Sequence, residues 1–444
     1  MRIIWIGIDD TDSVKGGCTT YLACVLIDKL TSKNIDIIGH PKLVRLNPNI
    51  PWKTRGNGAL CLRTLINENM KEKIKETVIS TVEENSDLDC EGTEPGIVFF
   101  EAANVPREVK FFARNAITGI VNLRDALKLL KKFSAEAVGF KKGRGIIGGL
   151  AAIGETLTQD HTYEIIAYRV PENYGLKRRV DEESIFVMDE KTASYTFNNV
   201  DLEKKRIIVT PRGADPILFG IRGESPEVVK KAFAMVKSLE PIERWVVFRT
   251  NQGTDAHLKQ VGTLNQIKPY SSVVAKGKIS SNPRIIPRRH VIFSISDETG
   301  VVDCAAFEPT GVLRKITQKL VVGDLVEVHG GVKKRSGNEV LTINLEKIRL
   351  LELAPKIMYQ NPICPTCNKR LKSMGKEQGY RCEKCGVKYP DLLKVEVKSE
   401  RGITKGLYIT STRSQRHLTK PFRRYGLEKK QKGAVKFVDV WHFP

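Results

Sequence analysis

Long apolar runs are missing from the 444 residues: no stretch of about 18 hydrophobic residues occurs, which excludes a membrane-spanning helix. The opening MRIIWIGIDDTD meets two aspartates before the cleavage pattern of a secretory leader could form, so a cytoplasmic protein is expected. Cysteine is too sparse and too irregular for an extracellular disulfide framework: there are nine, an odd number, and only four stand in pairs two residues apart. Neither GxxxxGKS nor GxxxxGKT occurs, which rules out a P-loop nucleotide site. No internal repeat or low-complexity block is evident. Acids are scarce in the second half: residues 260–444 hold 35 Lys and Arg against 16 Asp and Glu, a net of +19, while residues 1–259 hold 38 against 35, a net of +3. A nearly neutral front joined to a strongly basic back points to a chemical body with a polyanion grip, because clustered cations gain affinity by releasing counterions from phosphates. Nucleic acid is the expected partner, with acidic lipid as the alternative.

The length exceeds what one hydrophobic core organises, so several domains are expected. Ile3 to Ile8 forms an apolar run ending at Asp9, and a helical pattern starts near Thr20, giving strand, loop, helix. Strands over Ile35 to Leu46, Ala59 to Ile66 and Ile97 to Glu101 alternate with helices near Met70 to Glu84, Pro106 to Ala116 and Leu123 to Phe133, an α/β or α+β pattern over residues 1–160. A second set follows to about Asn251: strands at Tyr163 to Val170, Ile185 to Met188, Arg206 to Val209 and Trp245 to Arg249, with a helix at Pro226 to Leu239. Five β-rich runs between 271 and 353, punctuated by Gly and Asp, suggest an OB-type barrel.

Chemistry concentrates at three places. Cys364, Cys367, Cys382 and Cys385 form two CxxC pairs with fourteen residues between them, a spacing that closes a tetrahedral thiolate shell around structural Zn2+ within a zinc ribbon at 360–390. In GIDDTDS, Asp9, Asp10 and Asp12 crowd the end of a strand, and carboxylates that close repel unless a hard cation such as Mg2+ neutralises them. A plain turn with helix capping is the structural alternative. Gly16 to Thr20 then open a helix whose free amides suit phosphate; alternatively Thr19 simply caps it. Two further stretches favour phosphate: NPNIPWKTRGNGA, with Lys53, Arg55, Gly56 and Asn57, and KKGRGIIGGLAAIG, where Gly143, Gly145 and Gly148 match GxGxxG beside Arg144. The match does not make a dinucleotide fold, because no clean strand precedes it.

In the back half, Phe293, Phe307, Lys276, Lys278, Arg284, Arg288 and Arg289 are candidate nucleic-acid contacts on the barrel. Residues 401–444 carry eleven cations against two acids, interleaved with Tyr408, Phe422, Tyr425, Phe437, Trp441 and Phe443, so the extension 391–444 reads as an RNA-backbone clamp or as a loosely packed terminus.

The combination GIDDTDS, CTTYLA, RLNPNIPWKTRGNGA, GRGIIGGLAAIG, GIRG and FRTNQGTDAHL, followed by an OB-like barrel and a zinc ribbon, resembles the archaeal tRNA(Ile)-2-agmatinylcytidine synthetase (TiaS) family along essentially the whole chain. The resemblance implies a multidomain α+β protein: an N-terminal α/β kinase-like domain at 1–160, a ferredoxin-like domain at 161–255, an OB-fold β-barrel at 271–353 and a zinc ribbon, the last two holding tRNA. It implies a ligase that uses ATP and Mg2+ to phosphorylate the C2 oxygen of the wobble cytidine in tRNA(Ile) with a CAU anticodon, after which agmatine displaces the phosphate. Asp9, Asp10 and Asp12 match the family's magnesium–ATP site and Thr19 its phosphate-accepting threonine. Asp215 and Asp255 are candidates for the dicationic agmatine, and Arg222 for phosphate. TEPG at Thr93 to Gly96 departs from the family pattern, with Glu94 in place of an amide. Two readings from other classes remain: a non-catalytic single-strand-binding module of barrel and ribbon, and a phosphatase-like hydrolase using D-x-D.

Overall fold

The computed structural model describes residues 2–334, 340–429 and 440–443. The front half is built on one long sheet. Its first strands are β1 (Arg2–Asp9), β2 (Lys42–Arg45), β3 (Gly58–Ile66), β4 (Gly96–Glu101), β5 (Glu136–Gly139) and β6 (Thr162–Arg169). In spatial order they run β5, β4, β1, β3, β2, then Ile242–Thr250, β6, Ile217–Gly223 and Thr196–Phe197. The one parallel junction in this order is β2 against Ile242–Thr250, where Lys42 faces Arg249. Strands from both front domains thus share one ladder. Helices α1 (Thr19–Thr31) and α2 (Lys71–Glu84) lie on one face; α3 (Arg107–Thr118), α4 (Leu123–Lys132) and α5 (Gly145–Gly154) lie on the other.

Several elements differ from the sequence expectations. Ile185 to Met188 lies inside a helix, Glu182–Thr192, not a strand. The Asp181 carboxylate caps that helix by accepting from the Glu183 amide at 3.1 Å, and Ile185, Met188 and Thr192 fall on its buried face. Ile35 to Leu46 yields only the four-residue β2, because Gly39 takes φ +70° and bends the chain ahead of it. Ile217–Gly223 is a central strand that its two glycines hid.

The five β-rich runs close into a barrel: Ser272–Ile279, His290–Asp297, Gly300–Ala306, Leu325–Lys334 and Leu341–Glu352. The third and fifth pair in parallel and the first pairs with both the second and the fourth. Phe293 is fully buried in its core, which removes it as a stacking surface; Phe307 stays partly exposed. Gly406–Ile409 adds to the fifth strand, and His442–Phe443 returns to pair with Ile242–Thr250 in the front sheet. Phe437 lies outside the described residues.

The described part of the C-terminal segment is held down by ion pairs and hydrogen bonds. Arg424, 1% exposed, pairs with Asp160 at 2.8 Å and Glu224 at 2.5 Å, and donates to the Gly253 carbonyl. Arg423 grips Asp189 at 2.8 Å, Arg413 reaches Asp201 and Glu203, and Thr419 donates to Glu346 in the barrel. It straps the barrel to the front sheet, so these three arginines are engaged within the protein.

Candidate active site and nucleic-acid interface

β1 delivers its last residue, Asp9, to the foot of α5. The glycines of GRGIIGGLAAIG make that approach possible. A Cβ on Gly145 would stand 2.3 Å from the Gly96 amide nitrogen and 2.4 Å from the Asp9 carbonyl oxygen, and one on Gly148 would stand 1.8 Å from Asp9 Oδ2. The GxGxxG match therefore packs a helix against strand backbones. A strand does precede it, β5, which the sequence hid because its residues are only half-buried; it pairs antiparallel to β4, so no dinucleotide-binding βαβ unit forms.

After Asp9 the chain turns through Asp10 at φ +63°, and the three carboxylates part. Asp10 receives Arg144 Nε at 2.8 Å, while Arg144 also holds the Gly92 carbonyl. Asp12 Oδ1 accepts from the backbone amide of Thr19 at 2.6 Å and from its hydroxyl at 2.8 Å; Asp12 Oδ2 accepts from Arg55 Nε at 3.2 Å. Thr19 is thus not the helix cap: Cys18 occupies the cap position without a side-chain capping bond, and Asp12 does the capping from seven residues away. Thr11 adds a hydroxyl bond to Thr19 Oγ1 at 3.0 Å. Arg55 Nη1 reaches Asp215 at 3.3 Å, and Arg178 holds the other side of Asp215 at 3.1 Å.

Burial pushes the Asp9 carboxyl up to about 8, with the neighbouring Asp10 charge adding to it. Burial likewise raises Asp10 to about 7 against the opposing pull of Arg144. Such groups gain by sharing a cation. The oxygen donors fit a hard divalent ion, although the three carboxylates do not converge into one shell among the described residues.

These groups line a small cleft that is partly open to solvent. The structure brings Asp9, Asp10, Asp12, Thr19, Lys53, Arg55, Asn57 and Arg144 to its wall. Gly56, Gly143 and Gly145 are not on it: Gly56 backs onto Arg45 and His417, Gly143 turns at φ +66° against Gly139, and Gly145 serves packing. Sequence reasoning missed Trp52 at the rim, half exposed, and the apolar floor of Leu46, Val121 and Ile147. The aromatic in NPNIPWKTRG was the one available signal.

The expected agmatine residues are already engaged. Asp255 is bonded to the buried Lys347 of the barrel and accepts from the Lys420 amide at 2.6 Å. Asp215 lies between two arginines, and Arg222 donates to Glu164 at 2.9 Å. Arg222 also borders a second, wider basin together with Lys204, Arg206, Arg212 and His417.

The four ribbon cysteines come together as their spacing requires: their sulfurs all lie within 4.8 Å of one another, Cys367 and Cys382 at 3.1 Å and Cys364 and Cys385 at 3.6 Å. Tetrahedral zinc–thiolate bonds of ~2.3 Å place sulfurs roughly 3.8 Å apart, so the quartet fits the ion. All nine cysteines are free. Around the knuckles, Lys369, Arg370, Lys376, Arg381, Lys384 and Lys388 are exposed. Among the described residues no helix is long and apolar enough to cross a membrane.

Comparison with known proteins accounts for nearly all of this chain. Family models match in order: the TiaS TCKD domain over residues 5–142, the TiaS FLD domain over 143–257, an OB-fold nucleic acid binding domain over 273–351 and the TiaS C-terminal zinc ribbon domain over 361–403. The isoleucine-tRNA 2-agmatinylcytidine synthetase TiaS of Pyrococcus horikoshii is 45% identical over 422 residues, covering 94% of this chain and 96% of its own. That of Methanosarcina mazei is 43% identical over 427 residues, covering 94% and 97%. The crystal structure of TiaS in complex with its isoleucine tRNA and ATP superposes with a TM-score of 0.85 at 40% identity, covering 96% of this chain and 98% of that one. With a matching barrel, ribbon and front half in one order, the chain belongs to the TiaS family.

Proposed function

We propose that the protein is an ATP-dependent ligase that joins agmatine to C2 of the wobble cytidine in tRNA(Ile) with a CAU anticodon, so that the modified base decodes AUA. The observation that carries this reading is the cleft itself, where carboxylates, a hydroxyl and two arginines meet. Solved relatives support it: one is TiaS with isoleucine tRNA and ATP, another TiaS with isoleucine tRNA, AMPCPP and agmatine. The site of action is the cytoplasm, where charged tRNA is used. The domain at 1–160 is kinase-like, that at 161–255 ferredoxin-like, and the barrel at 271–353 and ribbon at 360–390 grip the tRNA.

ATP occupies the cleft, with Arg55, Arg144 and Lys53 facing its phosphates. Asp9 and Asp10 would hold a magnesium ion, which would supply neutralising charge to the triphosphate. Binding frees Asp10 and Asp12 from their arginines, which then turn to phosphate oxygens. Thr19 is the acceptor hydroxyl: it donates to Asp12 Oδ1, which takes its proton as the Thr19 oxygen bonds a phosphorus of ATP and the phosphoanhydride P–O bond to the departing nucleotide breaks. On the substrate, the cytidine C2 oxygen is a poor leaving group until it takes a phosphoryl group from ATP, a phosphoanhydride P–O bond of the nucleotide breaking as the new O–P bond forms. The agmatine amine then forms the C2–N bond, the C2–O bond breaks, and phosphate departs with that oxygen while the amine proton passes to solvent. The cytidine must leave the anticodon stack to reach the cleft.

Mass spectrometry of nucleosides from this tRNA after incubation with protein, ATP and agmatine tests the reading; 2-agmatinylcytidine is the expected product. Asp12→Asn and Thr19→Ala should abolish it while tRNA binding persists. Normal product formation by both variants would remove these residues from the chemistry.

A further inference from the structure

The phosphate-friendly loop RLNPNIPWKTRGNGA begins with two asparagines that the chemistry above leaves unused. Both are completely buried. Asn47 lies where the loop leaves β2, and its amide nitrogen donates in two directions: to the Gly119 carbonyl at 2.7 Å, at the end of α3, and to the Tyr270 carbonyl at 2.8 Å, at the entrance to the barrel. Its side-chain oxygen accepts from the Asn49 amide at 2.9 Å, and its own carbonyl accepts from the Asn57 side chain at 2.8 Å. Asn49 goes further into the barrel. Its amide nitrogen donates to the Ser271 carbonyl at 2.9 Å and to Ser272 Oγ at 2.8 Å, while Arg416 of the C-terminal strap donates to its oxygen at 2.5 Å. Each amide has its orientation fixed by its partners, since carbonyls surround the nitrogen and donors face the oxygen.

The barrel is shaped to receive Asn49. Gly331, on the strand Leu325–Lys334, has no Cβ, and one built there would lie 2.1 Å from Asn49 Oδ1. Tyr270 turns at φ +61° and presents its carbonyl to Asn47 while its amide pairs with the Val332 carbonyl at 3.0 Å. The eight residues after Asn49 carry Ile50, Trp52, Lys53, Arg55 and Asn57 to the cleft wall. One loop therefore touches the cleft with its tip and the barrel with its root. Three cations gather there from different parts of the chain, Lys53 from the loop, Lys333 from the barrel and Arg416 from the strap. The Lys53 ammonium is held below its ordinary value by burial first and by the other two charges second. A phosphate at this junction would be shared between barrel and loop.

We propose that Asn47 and Asn49 are positioning residues that couple tRNA binding on the barrel to ATP binding in the cleft, by fixing the root of the cleft loop to the barrel entrance. This rests on the function proposed above. Buried amides with every bond satisfied make a stiff link, because a displaced partner would leave polar groups unpaired away from water. A shift of the barrel against tRNA thus moves the loop as a unit.

ATP affinity of the full chain, measured with and without a tRNA(Ile) transcript carrying the CAU anticodon at one fixed salt concentration, tests the link. Transcript should tighten ATP by about fivefold or more, and ATP should tighten transcript by the same factor, because coupling between sites is reciprocal. In Asn49→Ala, and in Gly331→Ala, which presses on Asn49 from the barrel side, the factor should fall toward one while each ligand alone binds as before. The wild-type protein gives a readout that no folding defect can confuse: transcript without ATP should slow amide hydrogen exchange across residues 47–58. A factor of one in the wild type, an unchanged factor in both variants, weakened ATP binding by the variants without transcript, or exchange that transcript leaves untouched would each overturn the coupling. Failure of ATP to bind the wild-type cleft would instead refute the functional reading beneath it.

Discussion

Two regions of this chain are comparably basic in sequence and opposite in how their charges are partnered. In the C-terminal strap, Arg413, Arg423, Arg424, Lys420 and Lys429 each meet a carboxylate at 2.5 to 3.2 Å. In the zinc ribbon between 360 and 390, Lys372 pairs with Glu383, while Lys369, Arg370, Lys376, Arg381, Lys384 and Lys388 stand exposed without an ion pair among the described residues. The acids that neutralise the strap come mainly from the front half, at least 200 residues away: Asp160, Asp189, Asp201, Glu203 and Glu224. A local count of charge finds the strap poor in acids and the ribbon only slightly richer. Charge excess within a segment therefore measures attraction to something; the fold decides whether that something is RNA or the rest of the protein.

The sharpest way to separate the two regions is to remove the ribbon's metal shell. Cys367→Ser should release zinc and unfold the ribbon, since structural zinc binding is worth about 10 to 16 kcal/mol of folding energy in isolated modules. Metal analysis by mass spectrometry should show the loss, and tRNA affinity should drop while ATP still binds the cleft. Removing a strap cation should cost stability instead. Arg424→Ala removes the buried cation that Asp160 and Glu224 share, and breaking a buried pair costs about 3 to 5 kcal/mol, measurable as a lowered denaturation midpoint.

A finer comparison uses salt. The double variant Lys384→Ala, Lys388→Ala should flatten the salt dependence of tRNA binding by roughly one to two phosphate contacts' worth of slope. Arg413→Ala with Arg423→Ala should leave the slope alone. Equal flattening by both pairs would erase the distinction drawn between ribbon and strap.

The smallest expected effect lies in the neutral front half and serves as its control. Asp9 and Asp10 have folded values of about 8 and about 7, above the unfolded value of 3.8. Their contribution to stability is full below that unfolded value and is lost as pH rises through 7 to 8. Without divalent cations the melting temperature should fall modestly across that window, and magnesium should restore it. A flat profile would mean that neither carboxyl is protonated in the folded protein.

Much of this was legible early because it depends on neighbours in the chain. The CxxC pairs announced four thiolates able to meet, the alternation of 271–353 announced a barrel, and the run ending in Asp9 announced an acidic strand end. Other features needed distant partners. IFVM at 185–188 has strand composition, yet Asp181 caps it into a helix. GxGxxG looks the same whether its glycines admit a phosphate or, as here, the backbones of β1 and β4. Asp255 reads as a free acid in NQGTDAHL until Lys347, 92 residues away, is brought against it. The same holds for Asn47 and Asn49, whose partners at 270–272 and 416 lie outside any local pattern.

By itself, then, the sequence determined the order of the domains, the zinc shell and the acidic loop, because backbone periodicity and ligand spacing are short-range properties. Only the tertiary structure decided which charges stay free, which glycines serve packing and which loop is tied to the barrel. Desolvation and ion pairing act through space, and their sign depends on what the folded chain places opposite each group.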